Sequence, residues 1–186
     1  MSGQDFQVVF LDTETTGLDP SKDQIVSFAL RTWSLLEGKG PEVAALVLPS
    51  VPVPPQVAAI NHYDEGAWRQ LGAQPFCAVH ADMIRELLQD KCIVAGSNPR
   101  FDVDFLRWEF WRIGCAFPKI SHRMIDTGAM SAPLLVIGHI KGTGLDSLRD
   151  YFGINGNGHA HTASGDVLDS IEVFEALLQA FLVKEG

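Results

Sequence analysis

Two acidic residues lie one position apart where an apolar segment of the chain ends. The segment from Val8 to Leu11 has the composition of a buried strand, and Asp12 and Glu14 follow it. Side chains alternate along a strand, so these two carboxylates point to the same face. Like charges at that spacing repel each other and raise at least one pKa, unless a cation lies between them. The pair therefore indicates a metal site, for which the rest of the chain must supply further ligands.

Two more carboxylates and a histidine occupy contexts that suit such a site. Asp102 begins a predicted helix directly after a predicted buried strand, and Asp166 lies in the first turn of the last helix, where the helix dipole favours a negative charge. His161 precedes Asp166 by five residues, which on a helix is a rotation of about 140°. The two residues can reach one site only if His161 lies on the loop before the helix, with Thr162 or Ser164 as the N-cap. A histidine on a glycine-rich loop suits a proton acceptor better than a rigid ligand.

Each of these residues also has an ordinary structural interpretation. An aspartate at the start of a helix is usually a cap, and Asp126 keeps that interpretation, whereas Asp104 is expected on the surface. His159 competes with His161 as the proton acceptor, but His161 has Ala two residues later and Asp five residues later. The catalytic interpretation rests on the joint occurrence of all these residues.

The composition is that of one globular domain. Of the 186 residues, 46% are hydrophobic and 20% are charged. The chain has 14 Lys and Arg and 23 Asp and Glu, which gives a net charge of −9. This charge argues against a protein that coats nucleic acid by counterion release. The sequence shows neither a membrane-spanning run nor a signal-peptide pattern, so we expect no membrane contact and a cytoplasmic location. The three cysteines, Cys77, Cys92 and Cys115, are expected to be buried free thiols.

Hydrophobic periodicity predicts strands first and then strands alternating with helices. Strands are expected at 7–11, 24–33 and 42–49 as an antiparallel meander, and at 92–96. Helices are expected at 75–90, 101–114, 144–154 and 165–183, the first with its apolar stripe on Phe76, Val79, Met83, Ile84, Leu87 and Leu88. This order indicates an α/β domain with a mixed sheet.

Three segments in order resemble the motifs of the DEDDh family of 3′–5′ exonucleases. They are "LDTETTGLDP", "SNPRFDVDFL" and "HTASGD". The family, which includes the proofreading epsilon subunit of bacterial DNA polymerase III, RNase T and oligoribonuclease, has the patterns D-x-E-T-T-G, H-N-x-x-F-D-x-x-F-L and H-x-A-x-x-D. The similarity covers nearly the whole chain, although Ser97 lies where the family often has His. Matching by position selects Asp12, Glu14, Asp102, His161 and Asp166.

The resemblance implies a ribonuclease-H-like fold and a two-metal mechanism. The expected fold is a central five-stranded mixed sheet, an antiparallel meander plus parallel strands, flanked by helices. A single exonuclease domain is expected over residues 1–186, with residues 1–5 flexible. Two Mg²⁺ or Mn²⁺ ions are expected, because carboxylate oxygens are the hard ligands these ions prefer. The metal ligands implied are Asp12 as the bridge between both ions, Glu14 and Asp166 on one ion, and Asp102 on the second, with His161 as the acceptor of the proton of the attacking water.

The segment after the first acids supplies candidates for binding the substrate. Thr15 and Thr16 are expected to hold the terminal nucleotide, Gly17 to allow a tight turn, and Leu18 to wedge against the base. Phe101 is either a core residue or an aromatic surface for stacking. The candidate substrate-binding residues are Thr15, Thr16, Gly17, Leu18, His62, Asn98 and Phe101.

The expected substrate is the 3′ end of single-stranded nucleic acid, with DNA favoured over RNA and nucleoside 5′-monophosphates as products, in proofreading or repair. The alternatives are an exoribonuclease that resembles RNase T or oligoribonuclease, and a catalytically inactive scaffold that binds nucleic acid or a polymerase. A DNA polymerase subunit is a possible partner. The oligomeric state stays open.

Overall fold

The computed structural model describes residues 7–89, 91–155 and 162–182. Its strands are β1 (Val8–Thr15), β2 (Ile25–Ser34), β3 (Gly38–Leu46), β4 (Ile93–Gly96) and β5 (Met124–Asp126). Its helices are α1 (Pro55–Ile60), α2 (Glu65–Gln70), α3 (Ala78–Leu87), α4 (Pro99–Arg112), α5 (Thr127–Val136), α6 (Leu145–Phe152) and α7 (Ala163–Leu182).

The five strands form one mixed sheet in the order β3-β2-β1-β4-β5. The first three strands pair antiparallel, whereas β4 pairs parallel to β1 and β5 pairs parallel to β4. The predicted combination of an antiparallel meander with parallel strands is therefore confirmed. Strand β1 lies in the middle of the sheet, which places the residues at its end between the helices of both faces.

The two faces of β1 pack against different helices. Val8 and Phe10 belong to the cluster that includes Phe174 of α7, and the rings of Phe10 and Phe174 lie 5.4 Å apart. Val9 and Leu11 belong to a second cluster, built with residues of α3 and α4. Because side chains alternate, continuing β1 directs Asp12 and Glu14 toward α7 and Thr13 toward α4. Burial of the apolar part of β1 thus fixes the direction of the acids beyond it.

Several boundaries differ from the predicted ones for identifiable reasons. Strand β1 continues through Thr15, because Asp12 to Glu14 pair with β2 although they are polar. Strand β3 begins at Gly38, because the segment from Gly38 to Glu42 pairs with the end of β2. The periodicity located neither the three-residue β5 nor α5, which contains Pro133. The helices α1 and α2 have six residues each and were also not predicted.

The expected stripe of α3 is wrong at one position. Val79 is 66% exposed, and His80 and Ala81 occupy the buried side of the first turn instead. The helix begins at Ala78, after Cys77, whose backbone N–H donates to Nδ1 of His80 at 3.1 Å. This local hydrogen bond turns the first residues of α3 away from the orientation that the periodicity predicted.

The three cysteines are free thiols, as predicted, but each is partly rather than fully buried. Burial raises the pKa of Cys92 to about 11, so this thiol stays protonated near neutral pH. Within the described ranges, every helix is too short or too polar to cross a membrane.

Candidate active site

Three predicted ligands converge at the end of β1. One carboxylate oxygen from each of Asp12, Glu14 and Asp166 lies within 4.8 Å of the others. The first two come from the face of β1 that packs on α7, and Asp166 comes from the first turn of that helix. The N–H of Gly165 donates to Oγ1 of Thr162 at 3.2 Å, which confirms Thr162 as a cap of α7. The capped helix start places Asp166 over the strand end.

Asp102, on α4, contacts β1 at Thr13, the residue between Asp12 and Glu14. It is 3% exposed on α4, and its Oδ1 accepts hydrogen bonds from both the N–H and the Oγ1 of Thr13, at 2.9 and 2.8 Å. The N–H of Thr13 is free to donate to Asp102 because the pairing of β1 with β4 ends at Phe10. Asp102 therefore takes the position beside β1 that a longer β4 would have filled.

Three of these carboxylates have raised pKa values. The pKa of Asp12 is well above its ordinary value, because the residue is desolvated and faces the charges of Asp102, Asp166 and Glu14. Burial raises the pKa of Glu14 to about 7, with contributions from Asp166 and Asp102. Burial also raises the pKa of Asp102 to about 7, although its hydrogen bonds from Thr13 act in the opposite direction. Without a cation the cluster is electrostatically unfavourable at neutral pH.

The donor set fits hard divalent cations. Its ligand atoms are carboxylate oxygens, the preferred ligands of Mg²⁺ and Mn²⁺, and the charges that act on Asp12 are carboxylates as well. A divalent cation among Asp12, Glu14 and Asp166 would reverse the repulsion and lower these pKa values. The geometry thus supports a site for divalent metal at the predicted acids.

The loop after β1 is held by Asp23. Its Oδ1 accepts from Oγ1 of Thr16 at 3.2 Å, and its Oδ2 accepts from the N–H of Asp19 at 2.9 Å. Oγ1 of Thr15 donates to the carbonyl of Gly17 at 2.6 Å. Both threonine hydroxyls are therefore engaged inside the loop. The sequence analysis missed Asp23, whose role could have been suspected from the polar turn that follows "TTGLDP".

Gly17 also has a role in packing that the sequence analysis did not predict. Its backbone does not have a positive φ, unlike five other glycines of the described residues. Instead, a Cβ at this position would overlap the carboxylate of Asp23. The glycine therefore provides space for the side chain that holds the loop, and it leaves Leu18 as the tip of the loop, 84% exposed.

A concave surface borders the acid cluster on the side of β2 and β3. It has a volume of about 340 Å³, and its lining includes Ser27 opposite Glu14, the exposed His62, and the residues that begin α7. Asn61 is buried, and its side-chain N–H donates to the carbonyl of Thr15 at 3.3 Å. This bond, which the sequence analysis missed, places His62 near the end of β1.

The two remaining candidates lie at the start of α4. Asn98 is exposed in a left-handed conformation, with φ 60°, and its N–H donates to Oδ1 of Asp126 at 3.4 Å. Asp126 also accepts from the N–H groups of Gly128 and Ala129, so its predicted role as a cap is confirmed. Phe101 is partly buried with its ring 4.8 Å from that of Phe105. His161 and its competitor His159 lie outside the described residues.

The central strand of this mixed five-stranded sheet ends in a cluster of carboxylates, and helices pack on both faces of the sheet. This arrangement defines a ribonuclease-H-like nuclease fold. A family model described as "Exonuclease" (RNase_T) matches residues 9–174. The chain belongs to this exonuclease family, within the DEDDh superfamily, as the resemblance predicted.

The chain is also similar to a characterised relative and to solved structures. It is 31% identical over 181 residues to the DNA polymerase III subunit epsilon of Treponema pallidum (strain Nichols), covering 94% of this chain and 78% of the relative. Exonuclease I of E. coli in complex with a dT13 oligonucleotide matches with a TM-score of 0.75 and 22% identity, over 93% of this chain and 40% of that one. The zinc-bound form of the same enzyme with single-stranded DNA matches with a TM-score of 0.77 and 21% identity, over 95% of this chain and 41% of that one. This chain thus spans about two fifths of the exonuclease I chains, and these likenesses show the fold.

Proposed function

We propose that this protein is a metal-dependent 3′–5′ exonuclease that shortens single-stranded DNA and releases nucleoside 5′-monophosphates, in proofreading or repair. The observation that carries the proposal is the convergence of Asp12, Glu14 and Asp166 to within 4.8 Å. Membership of the exonuclease family supports the reaction. The similarity to a polymerase III epsilon subunit and to a structure with bound single-stranded DNA favours DNA and suggests a polymerase as partner.

The residues have separate roles in this proposal. Asp12, Glu14 and Asp166 would hold one divalent ion, and Asp12 and Asp102 would hold a second. When bound, such ions activate the attacking water and offset the charge that develops on the phosphate and the leaving oxygen. Thr13 keeps Asp102 in place through its two hydrogen bonds. His161, which precedes the capping residue of α7 in the chain, accepts the proton of the water.

The terminal nucleotide is proposed to bind between the loop Thr15–Leu18 and the concave surface at His62. Leu18 is available to contact the base because its side chain is exposed. The hydroxyls of Thr15 and Thr16 position the loop, and the backbone of Gly17 and the nearby Asn98 and Phe101 stay candidates for contact with the substrate. These residues form one exonuclease domain around the single sheet.

A digestion assay tests this function. Purified protein with Mg²⁺ or Mn²⁺ is expected to shorten a 5′-labelled single-stranded DNA stepwise from its 3′ end. Side-by-side digestion of duplex DNA, RNA and dinucleotides measures the preference for DNA, and faster digestion of RNA would favour the exoribonuclease alternative. The absence of shortening with both metals on every substrate would contradict the proposal and favour an inactive scaffold.

Substitutions identify the site in the same assay. Asp12→Asn is expected to abolish shortening, because it removes the shared ligand, and His161→Ala is expected to reduce the rate by about 100-fold or more. Asp82→Asn is the matched control, since Asp82 is an exposed acid that pairs with Arg85 on α3. Equal activity of Asp12→Asn and the control would place the reaction elsewhere.

A further inference from the structure

We propose that the exposed surface formed by Arg107, Trp108 and Trp111 on α4, the tryptophan surface, binds the single strand upstream of the 3′ end. This inference rests on the proposed function, because it extends the path of the same substrate. The occupant is single-stranded nucleic acid, whose bases would stack on the tryptophans.

The tryptophan surface is aromatic and open. Trp111 is 69% exposed, and its ring meets that of Trp108 edge to face, with centroids 5.0 Å apart. Together with Arg107 the two rings line a shallow depression of about 230 Å³. An exposed Trp111 beside a partly buried Trp108 forms an aromatic patch, and such a patch on a helix indicates a binding surface. Stacking on aromatic rings is the common way to hold single strands without regard to sequence.

The tryptophan surface is connected through Arg112 to the loop that follows β1. The guanidinium of Arg112 lies 5.9 Å from the ring centre of Trp108, and it donates to the carbonyls of Pro20 and Asp23 at 2.7 and 2.8 Å. The end of α4 is thereby fixed to the loop whose tip is Leu18. A strand that passes over this loop from the acid cluster would arrive at the tryptophans.

The distance along α4 sets the length of strand that can use this surface. Nine residues separate Trp111 from Asp102, which corresponds to about 14 Å at about 1.5 Å per residue. A stacked strand advances about 3.4 Å per nucleotide, so Trp111 lies at least about four nucleotides from the site. A dinucleotide would be too short to reach Trp111, whereas a 12-mer would cover both tryptophans.

The local charge also suits a phosphate backbone. Arg100 and Arg107 share a single partner on this face of α4, since both bind the carboxylate of Asp104, at 2.9 and 3.1 Å. The guanidinium of Arg112 is balanced by Glu109 at 2.7 Å. These five residues of α4 therefore carry one net positive charge, in a chain whose net charge is −9.

The experiment measures binding apart from catalysis. Fluorescence anisotropy of a labelled 12-nucleotide single strand is followed in low salt with EDTA, for the wild-type protein and for Trp111→Ala. Leu36→Ala is the matched control, because Leu36 is an equally exposed apolar residue on the turn after β2, at the end of the sheet opposite to the acids. Trp111→Ala is expected to weaken binding at least about fivefold, since a stacked base contributes about 1–3 kcal/mol. The affinities of Trp111→Phe and of the control are expected to stay within about twofold of wild type. Trp111→Phe keeps an aromatic ring at position 111, and the control leaves Trp111 unchanged.

A kinetic comparison separates this inference from the proposed function. With metal present, Trp111→Ala should raise KM for the 12-mer while KM for a dinucleotide stays unchanged. If the wild-type protein does not shorten DNA but still binds the 12-mer more tightly than Trp111→Ala, the proposed function is contradicted and the tryptophan surface is supported. Equal affinities of Trp111→Ala and wild type, or no binding by wild type, would overturn the inference and point to a protein partner for this surface.

Discussion

Thr13 determines how Asp102 is presented to the rest of the site. Its two donors converge on one oxygen of Asp102, so the other oxygen is left for a metal or a water. The side chain of Thr13 lies on the opposite face of β1 from Asp12 and Glu14, so it faces α4 and donates to Asp102. The pattern D-x-E conceals this role in its middle position.

Thr13→Val is expected to lower activity and move its pH dependence. The substitution preserves the shape of the side chain but removes the hydroxyl donor, and a hydrogen bond to a charged group contributes about 1.5–3 kcal/mol. Because that donor lowers the pKa of Asp102, its loss raises the pKa further. The rising acidic limb of the profile of kcat/KM against pH should therefore move to higher pH.

Thr32→Val provides the control for this measurement. Thr32 is a buried threonine on β2, and its hydroxyl donates to the carbonyl of Pro41, away from the acids. This variant should keep the position of the acidic limb. Superimposable profiles for Thr13→Val and wild type would show that the bond to Asp102 does not control its ionisation.

The turn from β4 into α4 positions Asp102 at the scale of whole elements. A Cβ on Gly96, the last residue of β4, would lie 2.7 Å from the carbonyl oxygen of Leu11. That oxygen belongs to the backbone of β1 and cannot rotate away. The close approach of β4 to β1 therefore requires glycine, and it brings the first turn of α4 within reach of Thr13.

Gly96→Ala is expected to destabilise the protein and to reduce its activity. Overpacking of this kind costs about 1–3 kcal/mol, and the shift of β4 would separate Asp102 from Thr13. Urea denaturation measures the first effect, and the digestion rate of the folded fraction measures the second. Gly144→Ala is the control, because no atom lies near a Cβ at that glycine. Wild-type activity of folded Gly96→Ala would contradict the positioning role of the turn.

The end of α4 is anchored by a buried ion pair. Glu109 is 3% exposed, pairs with Arg112 at 2.7 Å and accepts from the N–H of Ile25. Burial raises the pKa of Glu109, and Arg112 opposes this shift. The pair therefore gives a buried carboxylate a cationic partner and, through Arg112, holds the loop from Pro20 to Asp23.

Arg112→Met is expected to cost about 3–5 kcal/mol at pH 8, since it leaves a buried charge without its partner. Glu109→Gln in the same chain should recover at least half of this loss, because the neutral amide needs no cation. Urea denaturation of the single and double variants measures both values. As a control, Arg69→Met removes an exposed pair with Glu65 and should cost about 1 kcal/mol or less. Failure of the double variant to recover stability would mean that Arg112 acts through packing.

Long elements with regular periodicity could be predicted from the sequence, and short ones could not. The apolar run of β1 and the apolar stripe of α7 were sufficient to predict these two elements, because the packing of the sheet depends on both patterns. The three-residue β5 has too few residues for a period, and α5 has Pro133 and a nearly uniform apolar composition. The motifs included the three acids that converge, Asp12, Glu14 and Asp166. They did not predict Thr13, Asp23 or Asn61, because these residues act through hydrogen bonds between segments distant in sequence.

The molecule as a whole combines a stable sheet with a destabilising cluster of charge. The pKa values of Asp12, Glu14 and Asp102 are all raised in the metal-free fold. A carboxylate whose folded pKa is raised stabilises the fold while it is protonated, and this contribution is lost as the pH rises through the folded value. The metal-free protein should therefore lose stability between about pH 4.5, near the ordinary value for glutamate, and pH 7, the value for Glu14.

Divalent metal is expected to remove this pH dependence. Thermal denaturation at pH 5 and pH 8, in EDTA and in Mn²⁺, should show a larger increase in Tm with metal at pH 8, because only ionised carboxylates bind the ion and only they repel one another without it. Glu14→Gln should raise the metal-free stability at pH 8 by about 1–3 kcal/mol and reduce the effect of Mn²⁺, whereas Asp82→Asn should change neither. An equal increase in Tm on adding Mn²⁺ at both pH values would mean that metal binding does not depend on the ionisation of this cluster. The charges that lower the stability of the protein in EDTA at neutral pH would then have no part in holding the ion.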